Sequence, residues 1–168
     1  MEWVLGVAGI LITILIAIWQ WVLPELTRVQ SAVRASEPRI DCTIGSYNGA
    51  GSGLHAQVHN GGQVVAHKLS LSVAPIGDIW NHERLDAGEW ARPQIGLPQD
   101  SPVLSTQMIE PRATLTFEDR FGLQYLLIVE LTQTRRDDGR FNVGSRPSGP
   151  AERPALTRRT LWRLRKEV

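Results

Sequence analysis

The amino-acid sequence predicts a small antiparallel β-sandwich that follows a single N-terminal transmembrane helix. Two observations support this all-β domain and its membrane helix. A stretch of 21 residues without a charge stands near the start of the chain, at positions 3–23. Beyond residue 39, apolar and polar residues alternate in short runs that glycine-rich segments separate. That alternation is typical of half-buried strands joined by turns.

The uncharged stretch has the length of a membrane-spanning helix. Its 21 residues would rise about 31 Å, the thickness of the hydrocarbon core of a bilayer. Trp3 stands at one end, and Trp19 and Trp21 stand at the other, where indole rings favour the headgroup layer. We predict these three tryptophans to be membrane-interface residues. A cleaved signal peptide is the weaker interpretation, because no basic segment precedes the stretch and no small-x-small site follows it.

The flanking charges predict the orientation of this helix. Arg28, Arg34 and Arg39 follow the stretch, whereas Glu2 is the only charged side chain before it. Positively charged flanks tend to remain on the cytoplasmic side of a membrane. We therefore expect a single-pass protein of the cell membrane, with its N-terminus outside and its domain in the cytoplasm.

The chain divides into four predicted segments. Pro24 is expected to end or kink the membrane helix, so that residues 1–24 form the anchor. Residues 25–38 repeat apolar residues at helical spacing and form a juxtamembrane helix, either a spacer or a short oligomerising helix. Residues 39–134 form the β-sandwich domain. Residues 135–168 form a basic tail that is expected to be mostly disordered.

Within the β domain, the alternation of apolar and polar residues predicts the strands. The segment 45–53, GSYNGAGSG, is expected to be a flexible turn. His67 lies two residues before Leu69 and four before Leu71, and it is therefore expected on the same face of the strand as these leucines. The run at 123–131 is apolar on both faces and predicts a central strand. The predicted strands are 40–44, 54–58, 65–73, 103–109, 113–117 and 123–131.

A long insertion at residues 75–102 breaks this rhythm, and a helical turn is expected around residues 82–87. The insertion carries Trp80 and Trp90. Long loops in small domains are often functional, and exposed tryptophans suit a contact surface. We predict both as partner-contact candidates. The other interpretation that stays open is that both indoles cap an open end of the sandwich.

Two sequence motifs occur together in the β domain. The first is VHNGGQVVAHKLSLSV from Val58 to Val73, and the second is LTFEDRFGLQY from Leu115 to Tyr125. The pair resembles immunoglobulin-like β-sandwich modules of uncharacterised bacterial proteins, which often follow one N-terminal membrane helix. The resemblance covers about residues 39–134. It implies an immunoglobulin-like fold with a binding or scaffolding role.

The histidines do not predict a metal site. His55 and His59 share one face of a strand, but about 13 Å along the strand separates them, which is too far for one ion. A hairpin about Gly61 would bring His67 opposite His55, and the alternation places those two side chains on different faces. No metal ion and no other cofactor is therefore predicted.

The sequence also predicts no catalysis, and the chain is expected not to be an enzyme. It contains no nucleotide-binding, serine-hydrolase or metalloprotease motif. Asp119 is expected to be a turn residue, and an acid–base pair with Arg120 or His82 is the weaker interpretation. Cys42 is the only cysteine, so no disulfide can form within the chain, and its strand position predicts a buried, inert thiol.

Charge is segregated along the chain. Residues 135–168 hold ten Lys/Arg and four Asp/Glu, a net charge of +6, whereas residues 1–134 carry a net −5. Residues 155–168 would be amphipathic as a helix and could lie on an anionic leaflet, or they form a solvated or docked terminus. Nucleic-acid binding ranks below a lipid or protein contact. The residues of this basic tail are Arg158, Arg159, Trp162, Arg163, Arg165 and Lys166.

Together these features predict a membrane-anchored binding or scaffold subunit of a membrane-associated assembly, without catalysis of its own. The expected partners are the lipid bilayer and another protein, and a homo-oligomer stays open. The alternative is a membrane-embedded sensor or effector that oligomerises when its β domain recognises a ligand. A concave pocket and a ligand-dependent change in size would favour that alternative.

Overall fold

A computed structural model describes residues 2–48, 52–98, 100–146 and 149–167 of the chain, without the side chains of residues 2–8, 48 and 158. The chain forms two compact units. One unit combines Met1–Ala35 with Ala155–Val168 and is helical. The other unit, Ser36–Pro154, contains all of the strands.

Helix α1 spans Glu2–Ala35 without interruption. From Gly9 to Ala35 it is long and apolar enough to cross a membrane. The helix does not end at Pro24, because a proline removes one backbone hydrogen bond while the bonds on either side remain. The predicted anchor and juxtamembrane helix are therefore one continuous element.

The strand unit begins with a sheet of four strands, which we name the first sheet. Strand β1 (Ile40–Asn48) pairs in antiparallel register with β2 (Ser52–Asn60). The short strands β5 (Trp90–Ala91) and β6 (Gln94–Gly96) both pair with the opposite edge of β2. The glycine-rich segment predicted as a turn is mostly strand, since β1 and β2 extend into it, and residues 49–51 lie outside the described residues.

The second sheet has five antiparallel strands and curls into a half-barrel. Its order is β4-β3-β7-β8-β9. The predicted central position of the run at 123–131 is confirmed, because β8 lies between β7 and β9. The strands are β3 (Ala66–Val73), β4 (Gly77–Leu85), β7 (Arg112–Glu118), β8 (Gln124–Arg135) and β9 (Phe141–Ser145).

Alternate residues of both sheets form one apolar core, as the period-two pattern predicts. The buried side chains of the first sheet include Ile40, Cys42, Ile44, Leu54 and Val58. Those of the second sheet include Leu71, Leu115, Phe117, Tyr125, Leu127 and Val129. The architecture of the unit is thus mostly β, built from two antiparallel sheets.

The Asn60 side chain stabilises the segment that connects β2 of the first sheet to β3 of the second. Its side chain is buried and donates hydrogen bonds to the carbonyl oxygens of Val64 and Leu85, at 2.7 and 3.1 Å. Its oxygen accepts from the backbone N–H of Gly62 at 3.1 Å. A side chain at position 62 would meet the backbone nitrogen of Arg39 at 2.8 Å, so glycine is required there.

Two expectations for the middle of the chain are wrong. The helical turn expected around residues 82–87 is strand up to Leu85, because β4 forms a hairpin with β3. The strand expected at 103–109 is instead a one-turn helix, α2 (Pro102–Ser105). Pro102 at the first helical position favours a helix start, and burial of Val103 and Leu104 holds the turn in place.

The tail expected to be disordered has regular structure among its described residues. Strand β9 pairs with β8 through the turn at Asp138-Gly139, and Glu152 forms an isolated bridge with Leu126. Helix α3 (Arg158–Leu164) follows and belongs to the helical unit. The burial of Val143 explains part of the difference, because a polar segment can still supply an apolar side chain to the core at alternate positions.

The face predicted for His67 is also wrong. The pairing of β3 with β7 shifts register between His67 and Ser70, and Lys68 adopts a positive φ of 48°. This bulge reverses the alternation, so that Ala66 and Leu69 are both buried whereas His67 is not. His67 therefore does not lie on the apolar face of the strand.

Candidate functional site

The outer face of the first sheet carries a row of one acidic and two aromatic side chains. In the strand register, Asp41 lies opposite His59, and His59 lies opposite Trp90. Residues directly opposite each other share a face. Their neighbours on the inner face, Cys42 and Val58, are buried, so the row points away from the core.

Trp90 contacts two neighbouring groups. The His59 ring stacks on the indole with centroids 4.1 Å apart and planes 15° apart. The guanidinium carbon of Arg92 lies 5.4 Å from the indole centroid, within the range of a cation–π contact. The indole is 49 % exposed, so these contacts fix its position without covering it.

A second row on the same face is polar. His55 lies opposite Gly45 and Gln94 in the register. A side chain at position 45 would lie 2.6 Å from Cε1 of the His55 ring, so the glycine leaves the space that the imidazole occupies. We name the two rows together the Trp90 face, which consists of Asp41, Gly45, His55, His59, Trp90, Arg92 and Gln94.

The Trp90 face includes an exposed tryptophan and an arginine. Tryptophan and arginine are the residues on which binding energy concentrates in interfaces. A partner that covers the indole would gain apolar area, and the Asp41, His55 and Gln94 side chains elsewhere on the face can form hydrogen bonds. The face carries groups able to form contacts, with a pre-positioned aromatic group on its edge strand β5.

Trp80 lies in a different environment from Trp90. It is in β4 at the edge of the second sheet, opposite the buried Leu71. Its ring stacks on His82 with centroids 5.4 Å apart. Because residues in opposite register share a face, Trp80 is half-buried on the core side of its sheet. The two tryptophans predicted as contact candidates therefore belong to different sheets.

The membrane-interface candidates on α1 are exposed where they are described. Trp19 and Trp21 are exposed, as is every residue from Gly9 to Trp21, on all sides of the helix. Thr13, the polar side chain inside this part, donates its hydroxyl hydrogen bond to the Gly9 carbonyl at 2.9 Å. The Trp3 side chain lies outside the described residues.

The basic tail candidates lie in and just beyond α3. Thr157 caps this helix by accepting a hydrogen bond from the N–H of Thr160 at 3.2 Å. Leu161 and Leu164 are buried. The side chain of Arg158 lies outside the described residues. Exposed side chains of this segment are Arg159, Trp162, Arg163, Arg165 and Lys166.

An open groove lies beside the bulge of β3. Lys68, in its left-handed conformation, forms an ion pair with Glu118 at 2.9 Å. The groove has a volume of about 510 Å³ and contains groups of both signs. This bulge was not predictable from the residue pattern, because Lys68 occupies an ordinary position in an alternating run. The lining residues are His67, Lys68, Glu83, Glu118, Asp119, Arg120 and Gly122.

Asp119 is a turn residue, as the sequence predicts. Its Oδ1 accepts hydrogen bonds from the N–H groups of Phe121 and Leu123, at 2.8 and 2.9 Å. Its Oδ2 accepts from the Tyr125 hydroxyl at 3.2 Å. Burial, together with the neighbouring Asp119 carboxylate, raises the pKa of Tyr125. Both carboxylate oxygens are occupied, which suits a structural role.

The Cys42 thiol and the potential metal ligands are the other reactive groups of the described residues. Burial raises the pKa of the Cys42 thiol to about 12, so the thiol is protonated at neutral pH. Among the described residues, no three His, Cys, Asp or Glu side chains are close enough to hold a metal ion. His59 and Arg92, which support Trp90, were not predicted as site residues, because strand register is needed to see that they flank it.

These observations define a class of protein: a β domain of two antiparallel sheets, with an apolar N-terminal helix long enough to cross a membrane. Comparison of the chain with protein-family models, with curated proteins and with solved structures finds no match. The function is therefore inferred from the geometry of the described residues.

Proposed function

We propose that this protein is a membrane-anchored binding subunit that holds another protein at the membrane through its Trp90 face. In this proposal, α1 is the anchor and the strand unit supplies the contact surface. The protein performs no catalysis of its own. The observation that carries the proposal is the half-exposed Trp90 indole, in contact with both His59 and Arg92.

The exposure of α1 supports the membrane part of the proposal. A core helix of a soluble protein buries its apolar side chains, whereas the apolar window of α1 is not buried. Thirteen consecutive residues, from Gly9 to Trp21, are exposed and mostly apolar, and an apolar surface of this size would make the protein aggregate in water. The internal hydrogen bond of Thr13 satisfies its hydroxyl group, as a hydrocarbon environment requires.

The rigidity of the Trp90 face supports the binding part. An indole that two neighbours already hold loses little conformational freedom when a partner covers it. Asp41 and Arg92 supply opposite charges on either side of the His59–Trp90 stack, which favours one partner orientation.

Two further features belong to the same proposal. The F-x-D-x-x-G-x-x-Y turn supports an immunoglobulin-like topology of the strand unit. The flanking arginines support its cytoplasmic location.

The experiment is site-specific photo-crosslinking in native membranes. A photoreactive amino acid at Gln57, which is exposed on the outer face of β2 beside the Trp90 face, should form an adduct with a second protein. Trp90→Ala should lower the adduct yield at least tenfold, because it removes the exposed aromatic contact. An adduct with twice the mass of the chain would identify a homo-oligomer.

The matched control replaces an exposed apolar residue of the other sheet. Ile128 is 37 % exposed in β8, and Ile128→Ala should leave the adduct yield unchanged. Equal yields from the unsubstituted chain and from Trp90→Ala would contradict the proposal. Loss of the chain from carbonate-washed membranes would contradict the anchor.

A second candidate function is a ligand-dependent sensor that oligomerises in the membrane. The groove beside Lys68 favours it, because strained backbone conformations concentrate at ligand sites. This function predicts that a metabolite extract shifts the size of the detergent-solubilised chain on a column. Glu83→Lys, which changes the charge of the groove, should abolish that shift, and Trp90→Ala should not.

A further inference from the structure

Helix α3 is attached to α1 at the point where α1 leaves its fully exposed part. The two helices are in contact within the helical unit. Nε of Arg165 lies 3.4 Å from Oε1 of Glu25. Leu161 and Leu164, one turn apart, are buried, so α3 presents its apolar stripe inward.

The attachment places α3 beside the tryptophans of α1. Glu25 follows Trp21 by one helical turn, a rise of about 6 Å. If α1 is the membrane anchor proposed above, Trp19 and Trp21 lie in the headgroup layer. Arg165 is then held within about one turn of that layer.

The side of α3 that faces away from its buried leucines is cationic. Arg159, Arg163 and Lys166 recur at i, i+4 and i+7 and therefore share one face of the helix and the turn that follows it. All three are exposed. Within the described part of the chain, no carboxylate lies within ion-pair distance of any of them.

Trp162 completes this surface. It is 52 % exposed, and the Arg165 guanidinium lies 5.0 Å from its ring centroid. Exposed tryptophan beside unpaired cations is the composition of helices that lie at the surface of anionic bilayers. A solvated terminus would not require an ordered helix docked on the anchor, with two of its leucines buried.

We propose that α3 is a binding element for anionic phospholipid headgroups of the leaflet at which α1 emerges. Arg159, Arg163 and Lys166 bind the headgroup phosphates, and Trp162 inserts between the headgroups. The proposal rests on the membrane anchor of the proposed function. The bilayer is favoured over an acidic protein because α3 is attached to the anchor itself, one turn from its interfacial tryptophans.

The test uses the full chain in nanodiscs that hold one copy each. Glu167→Cys places a reporter fluorophore at the end of α3, while the buried Cys42 stays unlabelled. Lipids with a nitroxide on the headgroup quench a reporter that lies at the bilayer surface. Quenching should be strong in an equimolar phosphatidylglycerol and phosphatidylcholine mixture, weak in phosphatidylcholine alone, and reversed by salt.

The matched variants separate α3 from general electrostatics. Replacing Arg159, Arg163 and Lys166 by glutamine should lower the quenched population at least tenfold, since each cation near an anionic surface contributes roughly a fivefold factor. The control replaces Arg84, Arg112 and Arg146 of the strand unit by glutamine and removes the same charge. It should retain the quenching.

The outcomes are distinct. Equal quenching in both lipid mixtures, or equal effects of the two triple variants, would overturn the role of α3 while the anchor stands. Absence of quenching in the phosphatidylglycerol mixture, with the chain in the nanodisc, would overturn lipid binding in favour of a protein partner for α3. Failure of the chain to enter nanodiscs would overturn this proposal and the membrane anchor together.

Discussion

At the scale of single residues, the turn between β7 and β8 shows how a short pattern specifies structure. Gly122 has a positive φ of 70°, which lets the chain reverse beside the Asp119 carboxylate. The rings of Phe117 and Tyr125, which lie opposite each other in the register, stack with centroids 5.4 Å apart. Through its hydrogen bonds, Asp119 therefore connects the backbone of the turn to the hydroxyl group of Tyr125, whose ring lies in the core.

The Asp119 carboxylate should contribute strongly to stability. Asp119→Ala leaves two buried N–H groups and the Tyr125 hydroxyl without an acceptor, and should lower the free energy of unfolding by about 3 kcal/mol. Tyr125→Phe removes only one of these bonds and should cost about 1 kcal/mol. Urea unfolding of the full chain in detergent, followed by tryptophan fluorescence, measures both.

The control for this measurement is another turn aspartate. Asp138 also accepts a hydrogen bond from a backbone N–H two residues on, at 3.1 Å, but it is exposed. Asp138→Ala should change the free energy of unfolding by about 0.5 kcal/mol. A loss as small as this in Asp119→Ala would show that the buried carboxylate is not needed.

Cys42 should make stability fall at alkaline pH. Its pKa rises from 9.0 in the unfolded chain to about 12 in the fold because of burial, so the folded state retains a proton that the unfolded state releases between these values. The contribution of the Cys42 thiol to the free energy of unfolding is fully present below pH 9. It is lost between pH 9 and 12, at about 1.4 kcal/mol per pH unit.

The variant Cys42→Ala isolates that contribution. Between pH 9 and 12 its free energy of unfolding should decline less steeply than that of the unsubstituted chain. The pKa of Tyr125 is also raised in the fold, so part of the decline in the free energy of unfolding should remain in Cys42→Ala as well as in the unsubstituted chain. Parallel declines would mean that the Cys42 thiol does not titrate differently in the two states.

At the scale of elements, two serine hydroxyl groups connect β1 of the first sheet to β9 of the second. Oγ of Ser145 accepts a hydrogen bond from the N–H of Ile44 at 2.8 Å. Oγ of Ser46 accepts from the N–H of Val143 at 3.0 Å. These reciprocal bonds join strands that belong to different sheets, where no backbone ladder runs.

Removing these hydroxyl groups should loosen the contact between β1 and β9. Ser46→Ala and Ser145→Ala each leave one partly buried N–H group unpaired and should cost about 1–2 kcal/mol. Amide hydrogen exchange at Val143 and Ile44, respectively, should quicken. Ser72→Ala, which loses only a long 3.5 Å bond to the Thr114 carbonyl, is the control and should cost less.

A second lesson at this scale concerns local pattern and pairing. The run from Ala66 to Val73 alternates in the sequence, yet the bulge at Lys68 reverses which side chains face the core. The segment around Trp80 is charged and proline-flanked, yet β3 recruits it as an edge strand. In both cases the hydrogen bonds to a neighbouring strand decide the outcome, and a single-strand pattern does not contain them.

At the scale of the whole molecule, charge and the apolar helix predict how the chain lies in a membrane. Three arginines follow the uncharged stretch 3–23 and only Glu2 precedes it, so the strand unit should be cytoplasmic. In intact cells, an epitope after residue 168 should be protected from added protease and should be cleaved once the membrane is permeabilised. Cleavage in intact cells would reverse the orientation and move the search for partners to the cell exterior.

The sequence by itself determined the features that depend on composition and local periodicity. These are the apolar helix, the β class, the turn at Asp119 and most strands of the core, because side-chain burial in a strand follows a period of two. The burial of Cys42 was predictable for the same reason.

Only the tertiary structure decided which strands pair and in which register. The row from Asp41 through His59 to Trp90 brings together residues that are far apart in the chain, and one residue of register shift would point them into the core. The docking of α3 on α1 likewise joins Glu25 to Arg165 across the whole sequence. Such contacts arise when distant segments bury apolar surface together, so no local pattern of residues records them.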